Sequence, residues 1–169
     1  MNSIYTRRSV RQFSDKEVEH EKIIQLLKAG MQAPSAMNQQ AHQYFVLTDK
    51  ETQVELSVFK QGGKLVSDGN VTIIICGNEE IMKSPPMWQQ DLGAAAQNIS
   101  LEAVNLGLGS VWLGCAPHED RMSKVSEVLN LPAHIKPYAV LSIGYPLNED
   151  ANKFVDRYNE SKVTFGKYK

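Results

Sequence analysis

Residues Val71 to Gly77 read VTIIICG, an unbroken apolar run with β-branched side chains at five of its seven positions. A run of that length and composition predicts a strand. Successive strand side chains point to opposite faces, and here both faces are apolar, so both must be covered. A sheet with one face open to water does not meet that demand.

The rest of the chain supplies further elements. SDKEVEHEKIIQLLKAGMQAPS predicts a helix capped by Ser14 or Asp15, with acidic residues in its first turn. Ile24, Leu27 and Met31 recur at helical spacing, Ile23 and Leu26 widen the stripe, and Pro34 ends the helix. HQYFVLTD predicts a strand and DKETQVELSVF a short amphipathic helix; SVWLGC and KPYAVLSIGYP predict two more strands, with the polar helix HEDRMSKVSEVLN between them. The stretch from Asp91 to Gly109, DLGAAAQNISLEAVNLGLG, predicts a helix with a stripe of Leu92, Ala95, Ala96, Ile99, Ala103 and Leu106. Leu101, Val104 and Leu108 lie on its other sides, so it is apolar nearly all round. Two readings fit it: a central core helix, or a contact with a second copy eased by the small residues Gly93 to Ala96. The tail from Leu147 is polar and has no core pattern. Helices and strands intermix without strict alternation, which favours α+β, and 169 residues with 42% hydrophobic content suffice for one domain over 1–169.

Charge and composition exclude several function classes. A formal net charge of −1 with 22% charged residues gives no general basic face, so nucleic acid is not an expected partner. Apolar runs such as Ile73 to Cys76 are far too short to cross a bilayer, and MNSIYTRRSV lacks the apolar centre of a secretory leader. Cys76 and Cys115 do not make a disulfide framework and read as reduced thiols, so a cytoplasmic location is expected. No paired carboxylates, Ser-His-Asp set or zinc-ligand spacing stands out, and no catalytic side chain or metal is expected. QGGK at Gln61 to Lys64 lacks the glycine spacing of a phosphate loop and reads as a turn.

Against this neutral background RRSVRQF is anomalous: Arg7, Arg8 and Arg11 fall within five positions. If extended, the segment puts Arg7, Ser9 and Arg11 on one side and Arg8 on the other. If helical, Arg7 and Arg11 align one turn apart. Either way, two guanidinium forks and a hydroxyl converge on one small target, a set matched to one or two phosphate groups. A solvated charge run is the competing reading of the same residues.

The order RRSVRQF, APSAMNQQ, the apolar helix running into LGLGSVWLG, and SIGYP resembles the nitroreductase family of flavin enzymes, over about residues 5 to 146. That resemblance implies an α+β fold with a central, mostly antiparallel sheet flanked by helices, and an intertwined homodimer with two FMN sites between the subunits. It matches Arg7, Arg8, Ser9 and Arg11 to the family's phosphate and ribityl contacts. Pro34, Ser35, Asn38 and Gln40 match the segment that reaches the flavin of the partner subunit. Leu113, Gly114 and Cys115 match the strand end whose backbone faces the ring's reactive edge. Gln61 and Lys64 match the amide and the lysine at the ring's pyrimidine end, and Lys167 a basic tail residue near the phosphate. Where relatives often continue PSAMNQQ with Pro-Trp, this chain has Ala41-His42, and its tail has Thr164-Phe165 in place of an aromatic-basic pair.

The activity implied is an FMN-dependent oxidoreductase that takes electrons from NADH or NADPH and reduces a small-molecule acceptor, with nitroaromatics and quinones the usual ones. Dehalogenation or ring oxidation on the same flavin, and a flavin-binding module without turnover, are the alternatives.

Overall fold

The computed structural model describes residues 2–58 and 64–167. Among them are the helices α1 (Ser3–Thr6), α2 (His20–Met31), α3 (Lys50–Glu55), α4 (Lys64–Asp68), α5 (Trp88–Asn105) and α6 (Glu119–Val128). The strands are β1 (His42–Leu47), β2 (Val71–Asn78), β3 (Gly109–Gly114) and β4 (Ile135–Gly144). They form one four-stranded sheet in the order β1-β2-β4-β3, every neighbouring pair antiparallel.

β2 and β4 hold the centre. Val71 to Gly77 are all buried, and the two faces of the strand serve two different cores. Val71, Ile73 and Ile75 point to the side of α2 and α5, where they meet Leu26, Leu92, Ala96 and Ile99. Ile74 and Cys76 point the other way, to Leu56, Val66, Val125 and Cys115. The period of two in a wholly apolar strand thus serves both cores of a three-layer α+β fold. A register shift between Ile75 and Cys76 gives β4 one extra residue. The shift reverses the facing of β4, so Tyr138 packs with the α2–α5 core while Ile135 packs with the opposite one.

The first long helix departs from its sequence pattern in two ways. It begins at His20 with Glu19 as N-cap and no side-chain capping bond, rather than at Ser14 or Asp15. Ser14 is otherwise engaged: its N–H donates to the Tyr145 carbonyl, and Phe13 bridges Pro146, so the chain is still extended there. The buried face is Ile23, Leu26 and Gly30, whereas Ile24 and Met31 are exposed. Gly30 decides this. A Cβ there would lie 2.9 Å from Ile99 Cδ1 and from the Tyr44 hydroxyl, so any larger residue would make those side chains shift.

α5 starts one turn earlier than its sequence suggests and stops at Asn105, with Gly107 at φ +76° making the turn into β3. Its stripe Leu92, Ala95, Ala96, Ile99 and Ala103 is buried as expected, within the core it shares with α2 and β2. Leu101, Val104 and Leu106 are only half-buried.

Cys76 and Cys115 are free and wholly buried on opposite flanks of β4. Burial pushes the Cys115 thiol up to about 12, against the pull of Arg121. Burial, and then the neighbouring Cys115, raise Cys76 as well. Both groups stay protonated in the folded chain while the unfolded chain ionises them near 9.0. Their contribution to stability is therefore complete below pH 9 and lost as pH rises from there toward 12. Iodoacetamide at about pH 8 should leave both thiols unmodified in native protein and alkylate both in denaturant, as read by intact mass. Rapid native labelling would contradict this burial.

Candidate functional site

The arginine segment runs extended along the edge of β3. Ser9 and Ser110 form a parallel bridge, and the Val10 N–H donates to the Ser110 carbonyl at 3.0 Å. Val10 is buried; Ser9 and Arg11 face solvent. Of the two geometries open to RRSVR, the extended one holds. The contact is tight because β3 begins with a glycine: a Cβ on Gly109 would lie 2.6 Å from Val10 Cγ2.

The guanidinium groups are short of counter-charge. Among the described residues no ion pair engages Arg7, Arg8 or Arg11. Arg8 turns its two terminal nitrogens to the carbonyls of Arg7 and Tyr5, at 2.6 and 3.2 Å, and its Nε is buried without a partner. Arg11 donates to the Ser9 carbonyl at 3.2 Å. Half-burial, then the charges of Arg8 and Arg157, hold the Arg7 guanidinium below its ordinary pKa. Positive groups pressed together in this way, with one donor orphaned, fit an anion that would satisfy them.

Two residues that sequence reasoning missed complete this end. Asn152 accepts the Arg8 N–H at 3.2 Å and donates to the Leu108 carbonyl at 3.0 Å, stapling the tail to the segment. Arg157 adds its charge to the cluster from the same tail. Lys167 is exposed, and no hydrogen bond or ion pair engages it among the described residues.

The same strand β3 carries the second group. From Ser110 to Gly114 it spans about 13 Å, at the usual rise per residue. Leu113 and Gly114 are half-buried. A Cβ on Gly114 would meet nothing within 4 Å, so its backbone borders open space, and its carbonyl accepts from Arg121 at 2.8 Å. Cys115 turns its side chain into the core and offers only its backbone, whose N–H donates to the Tyr138 carbonyl. A cationic end, a short span of strand and a backbone without side-chain cover suit a ligand with an anionic tail and a planar head.

The third group stands apart. Pro34, Ser35, Asn38 and Gln40 lie on the connection from α2 to β1, and nothing joins them by hydrogen bond to Arg7–Arg11 or to Leu113–Cys115 among the described residues. Asn38 and Gln40 have positive φ, 49° and 45°, as does Met37 at 53°. Ser35 Oγ accepts the Gln40 N–H at 3.0 Å, and the Gln40 amide donates to Asn38 Oδ1 at 3.1 Å. Pro34, Met37, Asn38 and Gln40 are exposed. This arch presents Asn38 and Gln40 to solvent. Lys64 is exposed at the start of α4, and Gln61 lies outside the described residues.

Among the described residues no group of His, Cys, Asp and Glu could hold a metal ion, and no helix is long and apolar enough to cross a membrane.

Comparison with known proteins bears on the same segments. The model of the nitroreductase family matches residues 4–74 and 63–145. An Archaeoglobus fulgidus protein, provisionally named an NADH dehydrogenase/NAD(P)H nitroreductase, is 40% identical over 165 residues, spanning 96% of this chain and 95% of its own. A Clostridium acetobutylicum structure, provisionally described as an NADH oxidase, superposes with a TM-score of 0.95 at 46% identity, over 98% of this chain and 99% of that one. An FMN-dependent nitroreductase from Clostridium difficile R20291 superposes with a TM-score of 0.89 at 30% identity, over 99% of both chains. Sequence match and fold agree from the arginine segment through β4, and this chain belongs to the nitroreductase family.

Proposed function

We propose that this protein is an FMN-dependent NAD(P)H oxidoreductase that works as a homodimer, each flavin lying between the β3 site of one protomer and the Pro34–Gln40 arch of the other. The observation that carries this reading is the uncompensated arginine cluster pinned to the strand on which the open backbone of Gly114 lies. Bound there, FMN would supply two-electron transfer from a reduced nicotinamide to an acceptor, for which nitroaromatics and quinones are the proposed class.

Each residue then has a task of binding or orientation. Arg7, Arg8 and Arg11 hold the phosphate, with Ser9 donating a further bond and Arg157 and Lys167 adding charge from the tail. Leu113 and Gly114 border the ring, and the missing Cβ allows backbone N–H groups close to it. Arg121 fixes the Gly114 carbonyl so that this edge does not turn. Lys64, with Gln61 near it in sequence, supplies the cation for the pyrimidine end. Asn38 and Gln40 come from the second protomer.

Apolar surface supports the second copy. Phe154, Tyr158 and Phe165 are 59%, 74% and 94% exposed on the tail, and Tyr5 of α1, 60% exposed, lies beside Phe154. Large side chains exposed on the tail, and beside it on α1, suit a protein partner more than water.

Purified protein should be yellow, release FMN on denaturation, and bleach anaerobically when NADH or NADPH is added. Colour without bleaching by either nicotinamide would favour a flavin-binding module without turnover. Absence of colour after incubation with FMN would contradict the proposal.

A further inference from the structure

Three residues of the arch, Met37, Asn38 and Gln40, sit in the left-handed region of backbone space, which costs about 1 kcal/mol or more at Met37 and at Gln40 and less at Asn38, since asparagine adopts it readily. Bonds within the arch hold them in part, and the residue between Asn38 and Gln40 ties the arch to the rest of the fold. Gln39 is 5% exposed, although its neighbours Asn38 and Gln40 are open to solvent. Its amide oxygen accepts the N–H groups of Lys83 and Ser84, at 3.0 and 2.9 Å. Its amide nitrogen donates to Asp91 Oδ2 at 2.5 Å and more weakly to the Ser84 carbonyl at 3.4 Å. The other oxygen of Asp91 accepts the Ala36 N–H at 3.0 Å. One buried carboxamide and one carboxylate in the first turn of α5 thus grip the arch at both ends.

We infer that Gln39 and Asp91 are positioning residues: a clasp around a buried carboxamide that sets Asn38 and Gln40 in advance for the flavin of the second protomer. This rests on the proposed assignment of the arch to the partner's site. Every bond of the clasp is inside one subunit, so the arch is formed before the ligand arrives, and its ordering is not charged against binding. The clasp also joins the arch to α5, whose Trp88 stacks edge-on with Tyr138 and, through it, Trp112 of β3.

The chemistry of the pair allows a reversal test. Gln39→Glu sets two carboxylates against each other, and Asp91→Asn sets two amide donors against each other. In the double variant the introduced carboxylate accepts from Lys83, Ser84 and the new asparagine amide, while the asparagine oxygen still accepts from Ala36. Each single variant should bind FMN about tenfold more weakly or worse. At saturating FMN each should also shift the flavin's visible band and midpoint potential. The double variant should return all three readouts to near wild type, within about threefold in affinity.

Asn38→Ala is the accompanying control. If it binds FMN as wild type does, the arch does not touch flavin, and both the assignment and the clasp fall. If Asn38→Ala weakens binding while both single clasp variants bind normally, or if the double variant recovers nothing, the clasp alone is overturned. Unchanged spectra and potentials in saturated single variants would also overturn it, because a merely structural contact predicts that result.

A measurement on the wild type guards against variants that fail to fold. The Lys83 and Ser84 amides should be protected from hydrogen exchange in the apoprotein. Protection appearing only after FMN is added would overturn a clasp formed in advance.

Discussion

Replacing Arg7 and Arg8 together by alanine is expected to weaken FMN binding by roughly a hundredfold or more. A hydrogen bond to a charged group contributes about 1.5–3 kcal/mol, and two such losses give at least that factor. Riboflavin, which has the same ring and no phosphate, should bind the variant as it binds the wild type. The apoprotein should not be destabilised through Arg7, since its guanidinium makes no ion pair among the described residues and is repelled by Arg8 and Arg157. Arg8 contributes differently. Its terminal nitrogens already cap the carbonyls of Arg7 and Tyr5, and its Nε is the buried donor left over. Titration by flavin fluorescence reads both ligands. Equal losses for FMN and riboflavin, or no loss for either, would remove these arginines from the phosphate.

The other large effect is expected at a residue that touches no ligand. Gly109→Val should cost about 3 kcal/mol of stability, near the upper end for an overpacked contact. In a domain of this size that is a fall of about 6–12 °C in Tm. Three atoms of Val10 lie 2.6 to 2.8 Å from where the new Cβ would stand. Val10 cannot retreat without breaking its N–H bond to Ser110 and the adjoining Ser9 bridge. The segment that carries Arg7 to Arg11 would then leave the strand, so FMN affinity should fall along with Tm. Gly114→Ala is the contrasting case: its Cβ meets no atom of this chain within 4 Å, so thermal stability should hardly change. A Gly109→Val protein with wild-type Tm and FMN affinity would mean that the edge contact does not hold the cluster.

Local pattern made the central layers readable. The apolar run of β2 and the stripe of α5 follow from side-chain period alone, whereas RRSVR left two geometries open until its pairing with β3 chose between them. The start of α2 was not readable, because Ser14 is a good cap whose backbone is already committed to Tyr145, far along the chain. The buried face of that helix was also obscured. Gly30 contributes nothing to a hydrophobic stripe, yet it marks the line of closest approach to Ile99.

The same distinction divides the site. The arginines announce themselves by charge density, and the resemblance to known flavin enzymes drew attention to the arch. Asn152, Arg157 and the Gln39–Asp91 pair carry no local signal. Their partners lie 52 positions away for Gln39 and Asp91 and 144 for Arg8 and Asn152, distances at which only the fold creates an association.

The claim that each flavin is held by arginines of one protomer and the arch of the other can be tested by mixing two defective chains. One carries Arg7→Ala with Arg8→Ala; the other carries Asn38→Ala; each homodimer alone should bind FMN weakly. In the mixed dimer, one site collects both lesions and the other collects none, so titration should find one FMN per dimer bound with wild-type affinity. If both groups served the flavin of their own subunit, every site would retain one lesion, and no wild-type site would appear.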